Sequence, residues 1–380
     1  MGLLGTIFVV VCLFTPFVHA DPPRAWPAQW SDAIPPTVDV AQARACNIDG
    51  LIVLTGGFTD DLAATPAIQL KSSRRGWMPI GQAMLRPRAG HSLIALDDER
   101  ILVIGGWEGK LPDKTHAHRD AEIIEPRYPE RRRSLEVPLP NLEEEGLTGH
   151  SATQLDDGRI VLVCGTHAVF FNPKNEQWST PISLSYPRRH HSACSTDGNS
   201  VLIAGGDSPP ESIQPDENGD FYSVPWEASS PSVRYASMAR VNSHTAIMIG
   251  GESEDGACPE STWLFDTRTS EVTPGPSLPS GEGMRNPILI KTPAGILIAS
   301  GERKRPGGLR NISQPLVIQP ERNRIWFVAA PPDRFVHQTA VRTFDGSIEL
   351  IGGYRFSSGA GIQLNSTANR IVLHQLAICD

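Results

Sequence analysis

Ile101-Leu102-Val103-Ile104-Gly105-Gly106 (ILVIGG) is a short apolar run that stops on two glycines, and the chain repeats it. The equivalent runs are LIVLTGG (51–57), IVLVCG (160–165), VLIAGG (201–206), AIMIGG (246–251), ILIASG (296–301) and IELIGG (348–353). Cys164-Gly165 and Ser300-Gly301 keep only the second glycine. From Gly57 onward the last glycines are 49, 59, 41, 45, 50 and 52 residues apart, about 49 on average. A repeat of that length predicts similar units stacked into one body.

Working outward from the runs gives the unit. His91, His150 and His191 each stand 15 residues before the last glycine and precede a serine; His337 stands 16 before Gly353. The segments after them, such as HSLIAL and HSATQL, read as first strands. They end in Asp97–Arg100, Asp156–Arg159, Asp197-Gly198 and Asp345-Gly346, and Asp-Gly between apolar runs is a tight-turn signal. The glycine-ended run is then the second strand, and its near-continuous Ile/Val/Leu content predicts burial on both faces. Ala121–Ile124, Ala168–Phe171, Thr262–Phe265, Leu316–Ile318 and Arg370–Leu373 read as third strands. Turns leading to Trp178 and Trp326 open a fourth strand. In the fourth unit, Ile213 to Val224 is polar, which predicts a poorly formed third strand. Four antiparallel strands per unit describe a propeller blade.

Apolar run, two glycines, an aromatic and then Arg-x-x-His-Ser (Arg88 to Ser92, Arg188 to Ser192) resemble the kelch repeat, over residues 40–376. The resemblance implies an all-β, kelch-type β-propeller of seven four-stranded antiparallel blades, with six as the alternative count. The last unit lacks a fourth strand. Asp21–Asp39, which holds Trp26 and Trp30, is expected to supply it and so close the ring, removing an open sheet edge.

Composition agrees with many short strands and turns: 34 glycines and 33 prolines in 380 residues. The net charge of −8 argues against a nucleic-acid partner. The basic stretch Arg127–Arg133 reads as a solvated loop or strand edge. Residues 1–20 read as a secretory signal with cleavage after Ala20, set by Val18-His19-Ala20, although the segment before the apolar run has no Lys or Arg. That apolar run also makes a signal a better reading than the myristoylation pattern of Met1-Gly2-Leu3-Leu4-Gly5-Thr6. Residues 21–380 are then one propeller domain, secreted or periplasmic, monomeric and without a membrane span. Five cysteines remain (Cys46, Cys164, Cys194, Cys258 and Cys379), allowing one or two disulfides. No Cys-x-x-Cys pair points to zinc.

Second-to-third loops are long: Phe58–Thr65, Trp107–Asp120, Glu252–Ser261, Glu302–Ser313 and Tyr354–Ala368. Fourth-to-first connections share their face, so function is expected there. The first strands start on that face with Arg88, His91, His150, Arg188, His191, Arg234, Tyr235, Arg285, Arg334 and His337, the candidate ligand-binding residues of a channel mouth. The resemblance implies that the arginine of Arg-x-x-His holds carboxylates or phosphates. Against this stands a structural reading in which His-Ser side chains bond neighbouring blades. The glycines read as close-approach and positive-φ positions, not a phosphate loop. His116-Ala-His118-Arg-Asp120 reads as a solvated loop before it reads as a metal site. Asn311-Ile-Ser313 and Asn365-Ser-Thr367 fit glycosylation sequons.

The galactose-oxidase-like branch of the family implies a copper site with a tyrosine followed directly by histidine. None of the five tyrosines precedes a histidine, so a copper radical oxidase is not expected. No catalytic residue, metal or cofactor is assigned. The chain is expected to be a non-catalytic protein- or glycan-binding module, possible ligands including anionic ones. The alternative is a small sugar-acid mutarotase or isomerase with an Arg/His site at the channel mouth, a class also found among exported single-propeller relatives of the kelch family.

Overall fold

The computed structural model describes residues 24–374, apart from 73–74, 83, 112–114, 141, 143–145, 306–307 and 358–360. The expected signal segment and Cys379 lie outside the described residues. Seven antiparallel four-stranded blades form a ring. Their first strands are Arg44–Ile48, Ser92–Ala95, Ser151–Gln154, His191–Ser195, Ser237–Arg240, Arg285–Thr292 and Thr339–Arg342. The glycine-ended runs form the second strands, as the spacing predicts. In the third blade one element, Ile160–Asn172, takes both middle positions: residues 160–163 pair with 151–154, and residues 171–172 with 177–178.

Continuous apolar second strands follow from where each face goes. The core consists of clusters that each join two neighbouring blades. Leu102 and Ile104 of blade 2 pack with Ile160, Leu162 and Phe171 of blade 3. Their alternates Ile101 and Val103 pack with Val53, Ile68 and Leu70 of blade 1. Side chains alternate across a strand, so both faces of every second strand meet a neighbour. Glu349, the one charged residue in the seven runs, keeps its charge buried between blades 7 and 1 by accepting from Lys71 Nζ at 2.7 and 2.8 Å.

The fourth unit departs from expectation. Glu211–Pro215 and Phe221–Pro225 form a regular hairpin with five paired residues on each side. Its polar character comes from the turn Asp216–Asp220 and from Glu211, whose carboxylate is consumed inside the blade, while Ile213 is fully buried. The disulfide expectation also fails for the described cysteines, since Cys46, Cys164, Cys194 and Cys258 are free thiols.

Closure follows the expected route with an addition. Ala28–Ala33 pairs antiparallel with Ala368–Leu373 as the fourth strand of blade 7. Just before it, Arg24–Trp26 runs parallel to Arg324–Val328 as a fifth strand of blade 6. Trp26 donates its indole N–H to His374 O at 3.0 Å and stands edge-on to Trp326 at 5.4 Å. Among the described residues no helix is long and apolar enough to cross a membrane. Deleting residues 21–33 opens the edge of Ala368–Leu373. The thermal unfolding midpoint should then fall by about 10 °C or more, the shift expected for a loss of several kcal/mol in a domain of this size; an unchanged midpoint contradicts the closure.

Candidate functional site

Each first strand is entered through one residue in the left-handed conformation: Gln42 (φ 57°), Gly90 (64°), Gly149 (63°), His190 (52°), Tyr235 (60°), Asn286 (48°) and His337 (56°). These residues ring the top of the central channel and bond to one another through the backbone. The N–H of Gln42 donates to His337 O at 3.1 Å, Gly90 to Gln42 O at 2.8 Å and His190 to Gly149 O at 2.9 Å. Tyr235 donates to His190 O at 2.9 Å, and Asn286 to Tyr235 O at 2.7 Å. Five ring residues (Gly90, Gly149, His190, Tyr235 and His337) stand 16 residues before their last glycine, which puts His337 in register with His190 rather than with His191.

One residue further down, His91, His150 and His191 turn toward the preceding blade. Their Nε2 atoms meet Thr55 Oγ1 at 2.7 Å, Ser92 Oγ at 3.0 Å and Ser151 Oγ at 2.7 Å. His150 Nδ1 also lies 2.8 Å from Leu147 O. This is the inter-blade arrangement the sequence left as the structural reading of His-Ser. Ser192 and Ser237 extend the belt by donating to Ala236 O at 2.6 Å and Pro287 O at 2.7 Å. Burial pushes the imidazoles down: His150 to about 4, His191 to about 3, and His91 well below its ordinary value, with nearby arginine charges adding to the effect.

The arginines separate into two groups. Arg88 and Arg188 were expected at the channel mouth, yet both are fully buried inside their blades. Arg88 donates to Glu122 Oε1 (2.9 and 2.8 Å), Asp120 Oδ1 (2.8 Å) and Gly105 O (2.7 Å). Arg188 donates to Glu211 Oε1 at 2.7 Å and to Gly205 O at 3.2 Å. Third-strand carboxylates therefore draw both guanidinium groups away from the channel. Arg234 and Arg334 lie outside it as well. Arg234 pairs with Asp207 on the rim, and the exposed Arg334 donates to Ser313 O at 2.8 Å.

Arg285 remains at the mouth, in a cluster that spacing alone did not reveal. Its Nη1 donates to Glu252 Oε2 at 2.7 Å, and its Nε lies 3.3 Å from Glu302 Oε2. Its guanidinium carbon sits 4.5 Å from the centre of the Tyr235 ring, which His190 flanks at 4.5 Å. Glu302 also lies 3.0 Å from His337 Nδ1 and accepts from Asn286 Nδ2 at 3.1 Å. Burial would raise the Glu302 carboxyl, but the contacts with His337, Asn286 and Arg285 outweigh it and hold it below the ordinary value. Lys304, near the end of the strand Gly295–Arg305, also pairs with Glu252. Burial together with the Glu302 charge pushes the Tyr354 phenol up to about 12.

Below this cluster lies a cavity of about 600 Å³ on the axis, to which all seven blades contribute. Its lining includes Arg285, Glu302, His337, Tyr235 and Asn286, and also Gln42, Arg44 and Gln338, which sequence reading missed. One signal was available. Aligning Gln42-Ala43-Arg44 with Gly90-His91-Ser92 puts an arginine where blades 2 to 5 carry serine.

The residues present do not fit a copper ion. Among the described residues no three His, Cys, Asp or Glu side chains come together to hold a metal. Desolvation within the blades pushes the thiols of the half-buried Cys46 and the buried Cys194 up to about 12, and that of the buried Cys164 to about 11. The pair in His116-Ala-His118 splits: His116 is exposed, whereas His118 is buried and lies 2.8 Å from Pro87 O, so the segment is not wholly solvated. Asn365 is fully buried and donates to Gly352 O at 2.9 Å, which removes it as an acceptor in the folded chain.

No family model matches the chain. A stretch of 151 residues is 31% identical to tRNA wybutosine-synthesizing protein 4 of Aspergillus fumigatus, covering 35% of this chain and 14% of that protein. Another of 189 residues is 30% identical to Adagio protein 3 of Arabidopsis thaliana, covering 43% of this chain and 29% of that one. The chain thus spans less than a third of the length of either curated relative. Among solved structures it is similar to YjhT, with a TM-score of 0.55 and 13% identity over 77% of this chain and 98% of that one. It is also similar to a fungal alcohol oxidase of the AA5 family in complex with copper, with a TM-score of 0.64 and 14% identity over 92% of this chain and 76% of that one. At these identities the likeness concerns the propeller fold.

The neutral histidine belt makes stability depend on pH. Unfolded histidines titrate near 6.5, above the folded-state values, so the unfolded chain takes up protons first as pH falls. The belt's contribution is full above about pH 6.5 and is lost progressively below it. The unfolding midpoint should drop between about pH 6.5 and 5, before most carboxylates titrate, and His150→Gln should flatten that drop. Equal slopes in both proteins contradict a buried neutral His150.

Proposed function

We propose that this chain is a kelch-type propeller, exported by its first twenty residues, that acts as a monomeric, non-catalytic binding module for a glycan at the mouth of its channel. The observation that carries this reading is the axial cavity of about 600 Å³ beneath the cluster of Arg285, Glu302, Asn286, His337 and Tyr235. The volume falls in the range typical of small-ligand sites. Sugar hydroxyls both donate and accept, and the cluster offers cationic donors, a carboxylate acceptor, an amide and an aromatic ring within one opening. A folded protein could touch only the loops around it, so a protein partner would engage through an attached glycan or a narrow segment.

One observation favours a second reading, an enzyme acting on a sugar acid. His337 and Glu302 are 3.0 Å apart at the cavity, close enough to pass a proton to or from a bound hydroxyl.

Asn286 and Tyr235 both occupy left-handed backbone, so glycine removes either side chain without backbone strain. The test is calorimetric titration of a panel of mono- and disaccharides, neutral and acidic, into exported protein whose first residue is Asp21. At least one saccharide should bind, and Tyr235→Gly with Asn286→Gly should weaken it about tenfold or more, the loss of one to two good hydrogen bonds. Binding unchanged in a folded double variant, or no binding anywhere in the panel, overturns the proposal. Interconversion of a bound sugar, seen by NMR and abolished by Glu302→Gln, would favour the enzyme.

A further inference from the structure

Arg44 stands where the inner belt carries Ser92, Ser151, Ser192 and Ser237 in blades 2 to 5. Its side chain lines the axial cavity, partly buried. The side chain's one hydrogen bond among the described residues is from Nη1 to Ala43 O at 3.2 Å, and no carboxylate lies within ion-pair distance. Every other guanidinium discussed above has a carboxylate or carbonyl partner outside its own strand entry. A cation held away from bulk water without a counter-charge is costly. Desolvation lowers the Arg44 pKa, with Glu302 opposing that only from a distance.

Three further side chains at the same cavity carry polar atoms without partners. Gln338 is 4% exposed, and neither its side-chain oxygen nor its nitrogen has a hydrogen-bond partner. The Nδ1 atoms of the buried His91 and His191 are unpartnered as well. Arg44 and Gln338 come from blades 1 and 7, which adjoin across the ring.

We propose that Arg44 and Gln338 form an anion subsite inside the channel that takes the carboxylate of a sugar acid while the rest of the ring is held by the mouth cluster. The inference rests on the glycan-binding reading and narrows it to acidic sugars. Charge counting selects the anion. At the mouth, Arg285 and Lys304 balance Glu252 and Glu302. His91, His150 and His191 are neutral near pH 7. Arg44 therefore leaves a single uncompensated positive charge, which suits a carboxylate better than a doubly charged phosphate monoester. A guanidinium also matches a carboxylate edge to edge with two parallel donors, and the Gln338 amide can donate to the same group and accept from an adjacent hydroxyl.

The test titrates the full chain with glucuronate, with glucose as its neutral counterpart and with glucose 6-phosphate. The native protein should bind glucuronate at least about tenfold more tightly than glucose, as one charge-assisted hydrogen-bonded contact supplies, and should also prefer it to the phosphate. Arg44→Met should erase that preference while keeping the affinity for glucose, and Arg44→Lys should retain part of it. Equal binding of glucuronate and glucose by the native protein overturns the subsite but leaves the glycan-binding reading standing, and this comparison needs no variant. Preference for glucose 6-phosphate overturns the monoanion assignment. A folded Arg44→Met that keeps the glucuronate preference overturns the role of Arg44. Failure of all three sugars, together with failure of the wider saccharide panel, overturns both the inference and the reading beneath it.

Discussion

Neighbouring blades are joined by a main-chain hydrogen bond, and the rest of the molecule depends on it. At four of the seven junctions the N–H of the last glycine in a run donates to a carbonyl two residues before the channel ring of the next blade: Gly57 to Arg88, Gly206 to Val233, Gly251 to Met284 and Gly353 to Val40, at 2.7 to 2.8 Å. Where the run carries two glycines, the first is crowded as well. A Cβ on Gly56 would come within 2.1 Å of Arg88 O, and one on Gly352 within 2.3 Å of Val40 O. The paired glycines therefore set the distance between blades. They also place each ring residue against the backbone of the previous one.

That arrangement accounts for the separation of structural and candidate functional charges. The side chain at the glycine-accepting position points into its blade and is apolar in Val40, Leu147, Val233, Met284 and Phe335. Arginine is tolerated there only where Glu122 or Glu211 meets it. The ring residue and the one two places below it turn toward the axis. Blades 5, 6 and 7 carry Tyr235, Asn286 and His337 on the ring, whereas blades 2 and 3 carry glycine, so polar side chains gather on one side of the mouth. The belt histidines stay neutral beneath, leaving Arg44 as the cation without a counter-charge.

The sequence spoke clearly about the scaffold because the scaffold repeats. Glycine spacing, tight turns and strand periodicity placed the blades, and the missing last strand pointed to Trp26 and Trp30. Arg24–Trp26 as a parallel fifth strand on blade 6 was not legible, because three residues carry no period. The site was read less well because its residues break the repeat. Arg88 looked like an anion ligand until Glu122, 34 residues later, took it into the blade. An acid inside the apolar stretch Ala121-Glu122-Ile123 was the available warning. Glu302 follows the sixth run in the continuation of the strand Gly295–Arg305, and its pairing with His337 arises only when the ring closes blade 6 against blade 7. Arg285, Tyr235 and His337 were expected at the mouth and do line the cavity.

The central claim is that the channel mouth and Arg44, not the arginines of Arg-x-x-His, form the recognition site. A crystal structure of the full chain grown with saturating glucuronate tests it most directly. The account predicts the sugar in the axial cavity, its carboxylate against Arg44 and its hydroxyls near Glu302 and Asn286, with Arg88 and Arg188 still held by Glu122 and Glu211. A sugar bound on the outer loops, or against Arg88 or Arg188 drawn out of their blades, would contradict it.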